Sequence, residues 1–338
     1  MNKLINIILF PVFLLYQLIM VFRNLLYDKN LLRINKLPCK VICVGNISSG
    51  GTGKTPTVIA LAKMLQEENK SVAILSRGYR RQSTGTVLVS DGKVTFCKWQ
   101  NCGDEPILMS QKLSGVPIVA DENRFRGGQF LVHKFNPDVI ILDDGFQHRK
   151  LFRDIDIVLI NSSVSKFNFN YFRFNYNRES LRALKRAHIV LLTKTNLRTP
   201  NVRLINKINS LGVPFYKTTL ETEKYIVNAK GEQLDLKLFK GKSAVLFSGI
   251  GDPDSFSKIV SLLGINNISS IKFRDHQHYS NADLDKIHTK FIASRADIIL
   301  TTEKDLLKIN KPEWPLYSIP ISIEIDKNAT KHIYSLLQ

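Results

Sequence analysis

The chain has 338 residues, of which 44% are hydrophobic and 23% are charged, and this composition excludes a disordered chain and allows one or two buried cores. Its 48 Lys and Arg residues outnumber 29 Asp and Glu residues, and the resulting formal charge of +19 favours an anionic partner. Charge alone does not choose among a phosphate compound, a nucleic acid and an anionic lipid surface.

The first predicted element is a hydrophobic N-terminal segment. Leu4–Phe22 carries no charge over 19 residues, and a helix of that length is roughly 28 Å long, close to the hydrocarbon thickness of a bilayer. Such a segment is typical of a cleaved signal peptide, a spanning anchor or a helix sunk in one leaflet. Because Arg23, Lys29, Arg33 and Lys36 follow it instead of a small-residue cleavage site, we predict that it is retained with its C-terminal side in the cytoplasm. Its polar residues and its proline leave spanning and one-leaflet insertion both open.

Short apolar runs alternate with amphipathic stretches after this segment, which is the pattern of βαβ units around a parallel sheet. Residues 55–68 and 123–135 are predicted helices. Residues 84–98 interrupt the pattern with two alternating runs around Asp91-Gly92, which predict a β-hairpin insertion. The predicted strands of this unit are residues 41–44, 72–75, 117–120, 139–142, 157–160 and 189–192.

A second, smaller α/β unit is predicted to begin near Lys242. Ala244–Ser248 and Ile298–Thr301 have the composition of buried strands, and Asp252-Pro253 has the residue types that begin a helix. The polar stretch 195–242 is compatible with a linker, a helix of the first unit, or both. The predicted division is therefore a membrane-associated helix at residues 1–30, a main domain at 31–240 and a smaller domain at 241–338.

The four cysteines, Cys39, Cys43, Cys97 and Cys102, form no CxxC pair and no Cys/His pair at metal-ligand spacing. They are too few and too unevenly spaced for a disulfide framework. We therefore predict free thiols in a reducing compartment, acting as small apolar residues.

The strongest local signal is VICVGNISSGGTGKT, residues 41–55. An apolar strand leads into a glycine-rich turn and then into a helix, so backbone N–H groups and a helix N-terminus converge as in a phosphate-binding loop. Lys54 is predicted to reach the β- and γ-phosphates of a nucleotide, and the Thr55 hydroxyl to bind Mg²⁺. A strict GxxxxGK[ST] pattern requires glycine where Ser48 stands, and the upstream glycine here is Gly45. The predicted phosphate-binding residues are Ser48, Ser49, Gly50, Gly51, Thr52, Gly53, Lys54 and Thr55.

A second signal is PDVIILDDGFQH, residues 137–148, in which a buried strand ends in Asp143-Asp144. The carboxyl ends of parallel strands are where open α/β sheets bind ligands. One carboxylate is expected to bind Mg²⁺ directly or through water while the other orients neighbouring groups. Together the two signals predict an α/β protein that uses a nucleoside triphosphate.

Seven motifs occur in order along the chain: GNISSGGTGKTP (residues 45–56), SRGYRR (76–81), GDEP (103–106), DDGFQHRKL (143–151), FSGIGDP (247–253), DHQHY (275–279) and TTEKD (301–305). In this order and spacing they resemble the tetraacyldisaccharide 4′-kinase family. One motif such as SRGY is weakly specific, but seven in register are highly specific. The resemblance covers nearly the whole chain, and the departure at Ser48 is shared by the family's own loop.

The resemblance implies transfer of the γ-phosphate of ATP, with Mg²⁺, to the 4′-hydroxyl of a tetraacyldisaccharide 1-phosphate, an acidic glycolipid precursor of lipid A. It implies a P-loop NTPase-like domain, a smaller α/β domain closing over the nucleotide, and an N-terminal membrane helix. The expected location is the cytoplasmic face of a bacterial inner membrane, where Lys and Arg behind the helix would each contribute about 1 kcal/mol of attraction to anionic lipid. No nucleic-acid partner is expected.

The resemblance also matches the family's acidic residue after the hairpin to Asp104 and its second-domain histidine to His276. A sugar hydroxyl is a poor nucleophile at neutral pH, and a carboxylate positioned by a histidine can accept its proton during transfer. We expect Asp104 to be the base, His276 to orient it or share the proton, and Lys54 to act on the phosphates. Without the resemblance, GDEP is more readily explained as an ordinary helix start.

Several arginines are candidates for binding the acidic substrate. Arg77 follows a predicted strand end, and its guanidinium and that of Arg124 suit phosphate oxygens. Arg178-Glu179 resembles the family's Arg-Glu pair before a helix. A solvated basic surface is the alternative for each arginine.

Two other functional classes compete with the kinase. A membrane-attached NTPase switch would hydrolyse its nucleotide without an acceptor lipid; LLTKTN, residues 191–196, is loosely similar to a guanine-reading NKxD element but lacks the Asp. A nucleic-acid-dependent ATPase fits the basic charge but gives the N-terminal segment no role. The site residues favour the lipid kinase.

Overall fold

The computed structural model describes residue 15 and residues 18–48, 50–162, 178–311 and 313–338. Most of the predicted N-terminal segment and Ser49 lie outside the described residues. Over the described part, the chain forms two α/β units, each built on a mostly parallel sheet. The fold class predicted from the sequence is confirmed at this level.

The larger sheet has nine strands within the described residues. They are β1 (Lys40–Asn46), β2 (Val72–Ser76), β3 (Val87–Asp91), β4 (Pro117–Ala120), β5 (Val139–Asp143), β6 (Ile155–Asn161), β7 (Ile189–Thr193), β8 (Phe215–Thr222) and β15 (Ile321–Ile325). Their order is β15-β8-β7-β6-β1-β5-β2-β4-β3, and the strands from β2 to β8 that flank β1 are parallel to it, apart from β3. Strand β1, which leads to the glycine-rich turn, is therefore central.

Helices cover both faces of this sheet, which explains why its inner strands are continuous apolar runs. The helices are α1 (residues 18–28), α2 (Lys54–Glu67), α3 (Trp99–Cys102), α4 (Asp104–Lys112), α5 (Arg124–Phe135), α6 (Val202–Asn209) and α10 (Lys327–Leu337). Ile42 and Val44 of β1 pack with α2, α4 and α10 on one face, and Val41 and Cys43 pack with α5 and α6 on the other.

The smaller sheet has six strands in the described part of the chain, in the order β10-β9-β14-β13-β11-β12. Asp252 caps its first helix by accepting a hydrogen bond from the Ser255 N–H, with Pro253 in the first turn, as predicted. The strands are β9 (Tyr225–Asn228), β10 (Gln233–Asp235), β11 (Ser243–Ser248), β12 (Asn266–Lys272), β13 (Ile298–Thr302) and β14 (Leu316–Ile319). The helices are α7 (Pro253–Leu262), α8 (Asn281–Ser294) and α9 (Glu303–Leu306).

The two sheets do not divide the chain at residues 240/241, where the sequence predicted the domain boundary. β9 and β10 precede the division but belong to the smaller sheet, while β15 and α10 follow it and pack with the larger one. The smaller unit is therefore inserted between β8 and β15, which pair antiparallel from Ile321↔Thr222 to Ile325↔Thr218. The sequence did not predict this insertion, because the pairing joins strands about a hundred residues apart. Local sequence patterns contain no information on such distant pairing.

The predicted hairpin at residues 84–98 is present only in part. β3 pairs antiparallel with β4 as the edge of the larger sheet, and the chain then turns so that the Phe96 N–H donates to the Val89 carbonyl at 2.8 Å. The returning segment makes a single bridge, Ser90 with Thr95, instead of a second strand. The hairpin is thus a turn appended to the main sheet.

The prediction of four free thiols is wrong for one pair. Cys97 and Cys102 form a disulfide, whereas Cys39 and Cys43 are free. The one-turn helix α3 begins two residues after Cys97 and ends at Cys102, which brings the two cysteines together. Such a five-residue spacing is not among the motifs that identify paired cysteines from sequence.

Helix α1 is bound to the main domain by one face and exposes an apolar opposite face. Met20 and Tyr27 are buried, and the Asn24 amide donates to Glu179 Oε2 at 3.0 Å. Leu18 and Phe22 remain exposed. Among the described helices, none combines the length and the apolar composition needed to cross a membrane.

The adjacent glycines Gly127 and Gly128 test how tightly α5 packs on the sheet. In a helix interior, alanine is normally more stable than glycine by about 1 kcal/mol. At Gly127, however, a Cβ would lie 2.7 Å from Leu75 Cδ1 and 2.8 Å from Asp121 Cβ. Because Asp121 is held by Arg126 through two hydrogen bonds, we expect Gly127→Ala to lower the free energy of unfolding by about 1–3 kcal/mol in urea denaturation.

Gly128→Ala is the matched control in the same helix. Its Cβ would meet the terminal methyl groups of Leu37, the nearest at 2.4 Å, and these can move by rotation of the side chain. A smaller loss of stability is expected. Equal stability of Gly127→Ala and wild type would show that α5 has room to shift.

Candidate active site

A cavity of about 310 Å³ lies between the two sheets. The main domain contributes the glycine-rich turn, residues 50–56, and the smaller domain contributes residues 250–252 after β11 and 302–304 after β13. All three segments follow the carboxyl ends of parallel strands, the expected position for a ligand of an open α/β sheet.

The glycine-rich turn is held in shape by its neighbours. Gly51 and Gly53 have positive φ angles of 30° and 85°, which L side chains rarely adopt. The Asn46 amide donates to Thr52 Oγ1 and the Thr193 hydroxyl donates to the Thr52 carbonyl, both at 2.9 Å. Strands β1 and β7 thereby fix the loop before α2 begins. The predicted residues that line the cavity are Gly50, Gly51, Thr52, Gly53, Lys54 and Thr55, whereas Ser48 does not line it.

This turn also touches the smaller domain through backbone atoms. A Cβ on Gly51 would lie 2.4 Å from Asp252 Cβ, and a Cβ on Gly251 would lie 2.4 Å from the Gly51 nitrogen. Asp252 is itself paired with Lys194 at 2.6 Å. Close approach of the two domains at the phosphate loop therefore depends on glycine on both sides.

Asp143 ends β5 in an unusual electrostatic environment. The Ser76 hydroxyl donates to its Oδ2 at 3.0 Å, but its buried Oδ1 has no hydrogen-bond partner among the described residues. Burial, followed by the charges of Glu105 and Asp144, raises the pKa of Asp143 to about 7. The charge of Lys54 and the Ser76 hydrogen bond oppose this rise but do not cancel it.

Asp144 has the opposite environment although it is the next residue. Burial opposes its charge, but Lys54 and Arg178 lower its pKa below the ordinary value. Lys54 Nζ lies 3.6 Å and Arg178 Nη1 2.7 Å from Asp144 Oδ1. Lys54, Asp144 and Arg178 all line the cavity.

The residues at this edge fit a magnesium ion. Asp143 Oδ1 has no hydrogen-bond partner among the described residues, and burial disfavours the ionised form of this carboxyl group. A bound cation would stabilise that ionised form. Mg²⁺ typically takes one or two carboxylates and completes its shell with phosphate oxygens and water. In the described ranges, no three His, Cys, Asp or Glu side chains converge at metal-ligand spacing. Asp143, Asp144 and the Thr55 hydroxyl would be the protein's contribution.

Asp104 and His276 meet across the two domains. Asp104 opens α4, and His276 follows β12 with a positive φ of 58°. Both are buried, and His276 Nδ1 lies 3.0 Å from Asp104 Oδ1. Lys304 Nζ lies 3.2 Å from His276 Nε2. An ammonium can only donate, so an imidazole that accepts it at Nε2 would carry its proton on Nδ1 and donate it to Asp104.

Two lysines near Asp104 were not predicted as site residues. Lys308 Nζ lies 2.8 Å and Lys304 Nζ 3.9 Å from Asp104 Oδ2. Burial opposes the charge of Asp104, but the His276 hydrogen bond and these two lysines hold its pKa well below the usual range. The signal in the sequence was the TTEKD motif, which contains Lys304 and ends three residues before Lys308.

The predicted substrate-binding residues fall in different places. Arg178 lines the cavity, and Arg77 is exposed after β2. Arg124 is buried, and burial and then the charge of Arg77 lower its pKa. Glu179 is buried and pairs with Arg186 at 2.8 Å. It does not line the cavity, and its role is to support neighbouring residues through this ion pair.

The comparisons with known proteins agree over nearly the whole length. A family model for Tetraacyldisaccharide-1-P 4′-kinase matches residues 5–338. The Tetraacyldisaccharide 4′-kinase of Aquifex aeolicus (strain VF5) is 37% identical over 329 residues, 97% of this chain and 98% of that protein. That of Syntrophus aciditrophicus (strain SB) is 37% identical over 310 residues, 88% of this chain and 82% of that protein.

A solved structure gives the same result. The crystal structure of the "apo" form of LpxK from Aquifex aeolicus in complex with ATP has a TM-score of 0.78 and 36% identity, covering 99% of this chain and 100% of that chain. Sequence motifs, fold and site geometry thus coincide. The chain belongs to the tetraacyldisaccharide 4′-kinase family.

Proposed function

We propose that the chain phosphorylates the 4′-hydroxyl of a tetraacyldisaccharide 1-phosphate with ATP and Mg²⁺, and that Asp104 accepts the hydroxyl proton. One observation carries the mechanism. Lys54 of the phosphate loop and His276, the partner of Asp104, line the same cavity although they come from different domains. The phosphate loop and the histidine that contacts the proposed proton acceptor therefore face one cavity.

The cavity lining suits ATP. Its phosphates would lie against residues 50–55 at the start of α2, where backbone N–H groups and the Lys54 ammonium can meet them. Its adenine would lie against an apolar wall of the same cavity. That wall contains Leu220, Phe256, Ile259, Ile319 and Ile321. When bound, Mg²⁺ would be held by Thr55, Asp143 and Asp144 and would neutralise phosphate charge.

The transfer is an in-line displacement. The 4′-oxygen forms a bond to the γ-phosphorus, the bond from that phosphorus to the bridging oxygen breaks, and the electron pair leaves with ADP. The 4′-hydroxyl proton moves to the Asp104 carboxylate, which His276 orients through Nδ1–H. Because the transition state of phosphoryl transfer is loose, the hydroxyl proton is lost late and a weakly basic carboxylate is sufficient.

The acidic lipid has two features that the chain can recognise. Arg77 and Arg124 lie close enough that the first lowers the pKa of the second, and a lipid phosphate would relieve that repulsion. The exposed apolar face of α1, with Leu18, Ile19 and Phe22, suits contact with acyl chains and the membrane surface. We place the enzyme at the cytoplasmic face of a bacterial inner membrane.

The proposal is tested by transfer of label from γ-³²P-ATP to a tetraacyldisaccharide 1-phosphate in detergent micelles with Mg²⁺. Wild type is expected to label the lipid. Asp104→Asn should lower kcat by at least about a hundredfold with little change in the Kd of ATP, because only the proton acceptor is lost. Lys54→Met should weaken both ATP binding and transfer.

Lys311→Met is the control for these variants, since Lys311 is a half-exposed lysine away from the cavity. It should behave as wild type. ATP hydrolysis at one rate with and without lipid, and no label on the sugar, would favour a nucleotide switch over a kinase.

Gly251→Ala tests the contact between the phosphate loop and the smaller domain. Its new Cβ would overlap the Gly51 nitrogen, so the loop and the start of α7 must separate. We expect the Kd of Mg²⁺-ATP to rise at least about tenfold, equivalent to about 1.4 kcal/mol, in calorimetric titrations. Ser261→Ala, on the exposed far end of α7, should leave that Kd unchanged. Wild-type affinity in Gly251→Ala would mean that binding does not need this contact.

A further inference from the structure

Lys308 is a buried lysine beside the proposed base, and the reaction described above gives it no role. Its side chain is 1% exposed, it lies just after α9, and it does not line the cavity. Its Nζ is 2.8 Å from Asp104 Oδ2 and 3.7 Å from Asp305 Oδ1. No hydrogen bond of good geometry joins this ammonium to any described residue. Its contact with Asp104 is therefore mainly ionic.

The placement of this ion pair is not explained by stability alone. Removing an ammonium and a carboxylate from water is unfavourable, and their attraction often does no more than offset this cost. An apolar pair of similar volume would hold the same space. The partner of Lys308, however, is the carboxylate that must accept a proton.

Each carboxylate oxygen of Asp104 contacts a different partner. Oδ1 faces His276 Nδ1 at 3.0 Å, and Oδ2 faces Lys308 Nζ at 2.8 Å. Both partners belong to the smaller domain, whereas Asp104 opens α4 of the main domain. With both oxygens held, the carboxylate cannot rotate about its bond to Cβ without losing a contact.

Lys304 does not duplicate Lys308. Lys304 lines the cavity and lies 3.2 Å from Glu105, 3.8 Å from Asp275 and 3.9 Å from Asp104, so its charge is shared among three carboxylates. Lys308 has Asp104 as its near partner. Its second carboxylate neighbour, Asp305, already accepts the Gly249 N–H at 2.9 Å and the Thr302 hydroxyl at 2.7 Å through its other oxygen.

We propose that Lys308 is a positioning residue for phosphoryl transfer, which holds the Asp104 carboxylate in its orientation and in its ionised form. It acts through Asp104 and touches neither nucleotide nor sugar. The inference rests on the proposed function, in which the 4′-hydroxyl proton moves to Asp104 while the oxygen–phosphorus bond forms and ADP leaves.

The sign of the expected pH effect follows from the charges around Asp104. The basic groups facing it besides Lys308 are Arg80, His276, His278 and Lys304, and the acidic ones are Glu105, Asp275, Asp305 and the Tyr279 phenol. Loss of Lys308 removes the nearest cation and leaves three carboxylates in place. The pKa of Asp104 then rises, and the fraction of enzyme with an ionised base falls at the acid end of the pH range.

The experiment measures kcat, and KM for ATP and for lipid, from about pH 4 to about pH 9 in detergent micelles with the full-length chain. Lys308→Met should lower kcat at neutral pH at least about thirtyfold, because the carboxylate loses its orientation, with both KM values within about threefold of wild type. The pKa of Asp104 lies well below the usual range in wild type, so the acid limb that Asp104 sets should lie below the measured range in wild type and should enter it in Lys308→Met. Lys308→Arg keeps the charge, so its acid limb should stay at the wild-type position. Lys311→Met is the matched control and should match wild type throughout.

A double variant still tests the inference if Lys308→Met alone folds poorly. Asp104→Asn with Lys308→Met leaves no unpaired charge in this pair, and its kcat should equal that of Asp104→Asn alone, because Lys308 acts only through Asp104. A further tenfold loss in the double variant would overturn the inference. So would a wild-type acid limb in Lys308→Met.

The two proposals fail in different ways. A wild-type protein that does not label the lipid would overturn the proposed function and this inference with it. Lipid labelling by wild type, together with an unchanged pH profile in Lys308→Met, would overturn the inference alone.

Discussion

The contact of Asp104 with His276, Lys304 and Lys308 is the interaction on which the active-site arrangement depends. Asp104 comes from the main domain and the other three from the smaller one. An isolated buried carboxylate would tend to be neutral, because burial disfavours its charge. The contacts that favour the ionised form of Asp104, the proposed base, therefore come from the meeting of the two domains.

The pKa values of two adjacent carboxyl groups are shifted in opposite directions in this site. Asp143 has an orphan oxygen and a raised pKa, while its neighbour Asp144 is paired with Lys54 and Arg178 and has a lowered one. Such divergence is typical of functional sites, where ionisation is set by partners and not by residue type. Asp143 suits a cation, and Asp144 holds the phosphate-loop lysine in place.

The chain path explains how the domains are kept together. The smaller unit leaves the larger sheet after β8 and returns at β15, and Ile319 and Ile321 on either side of Pro320 both line the cavity. Two chain crossings limit the motion of the smaller unit. The glycine contact at Gly51 and Gly251 adds a point of close approach at the phosphate loop.

The sequence by itself determined the local features: the buried parallel strands, the phosphate loop, the Asp143-Asp144 strand end, the capped start of α7 and, through seven motifs, the family. These follow from nearest-neighbour chemistry and from side-chain periodicity, which are readable along a chain. Only the tertiary structure decided that β15 returns to the first sheet, that Cys97 reaches Cys102, and that Lys308 lies beside Asp104. The physical reason is that these contacts are set by the folded path of the backbone. A lysine two hundred residues from a carboxylate has no local signature of its partner, because the low dielectric and the geometry that couple their charges exist only after the domains have packed.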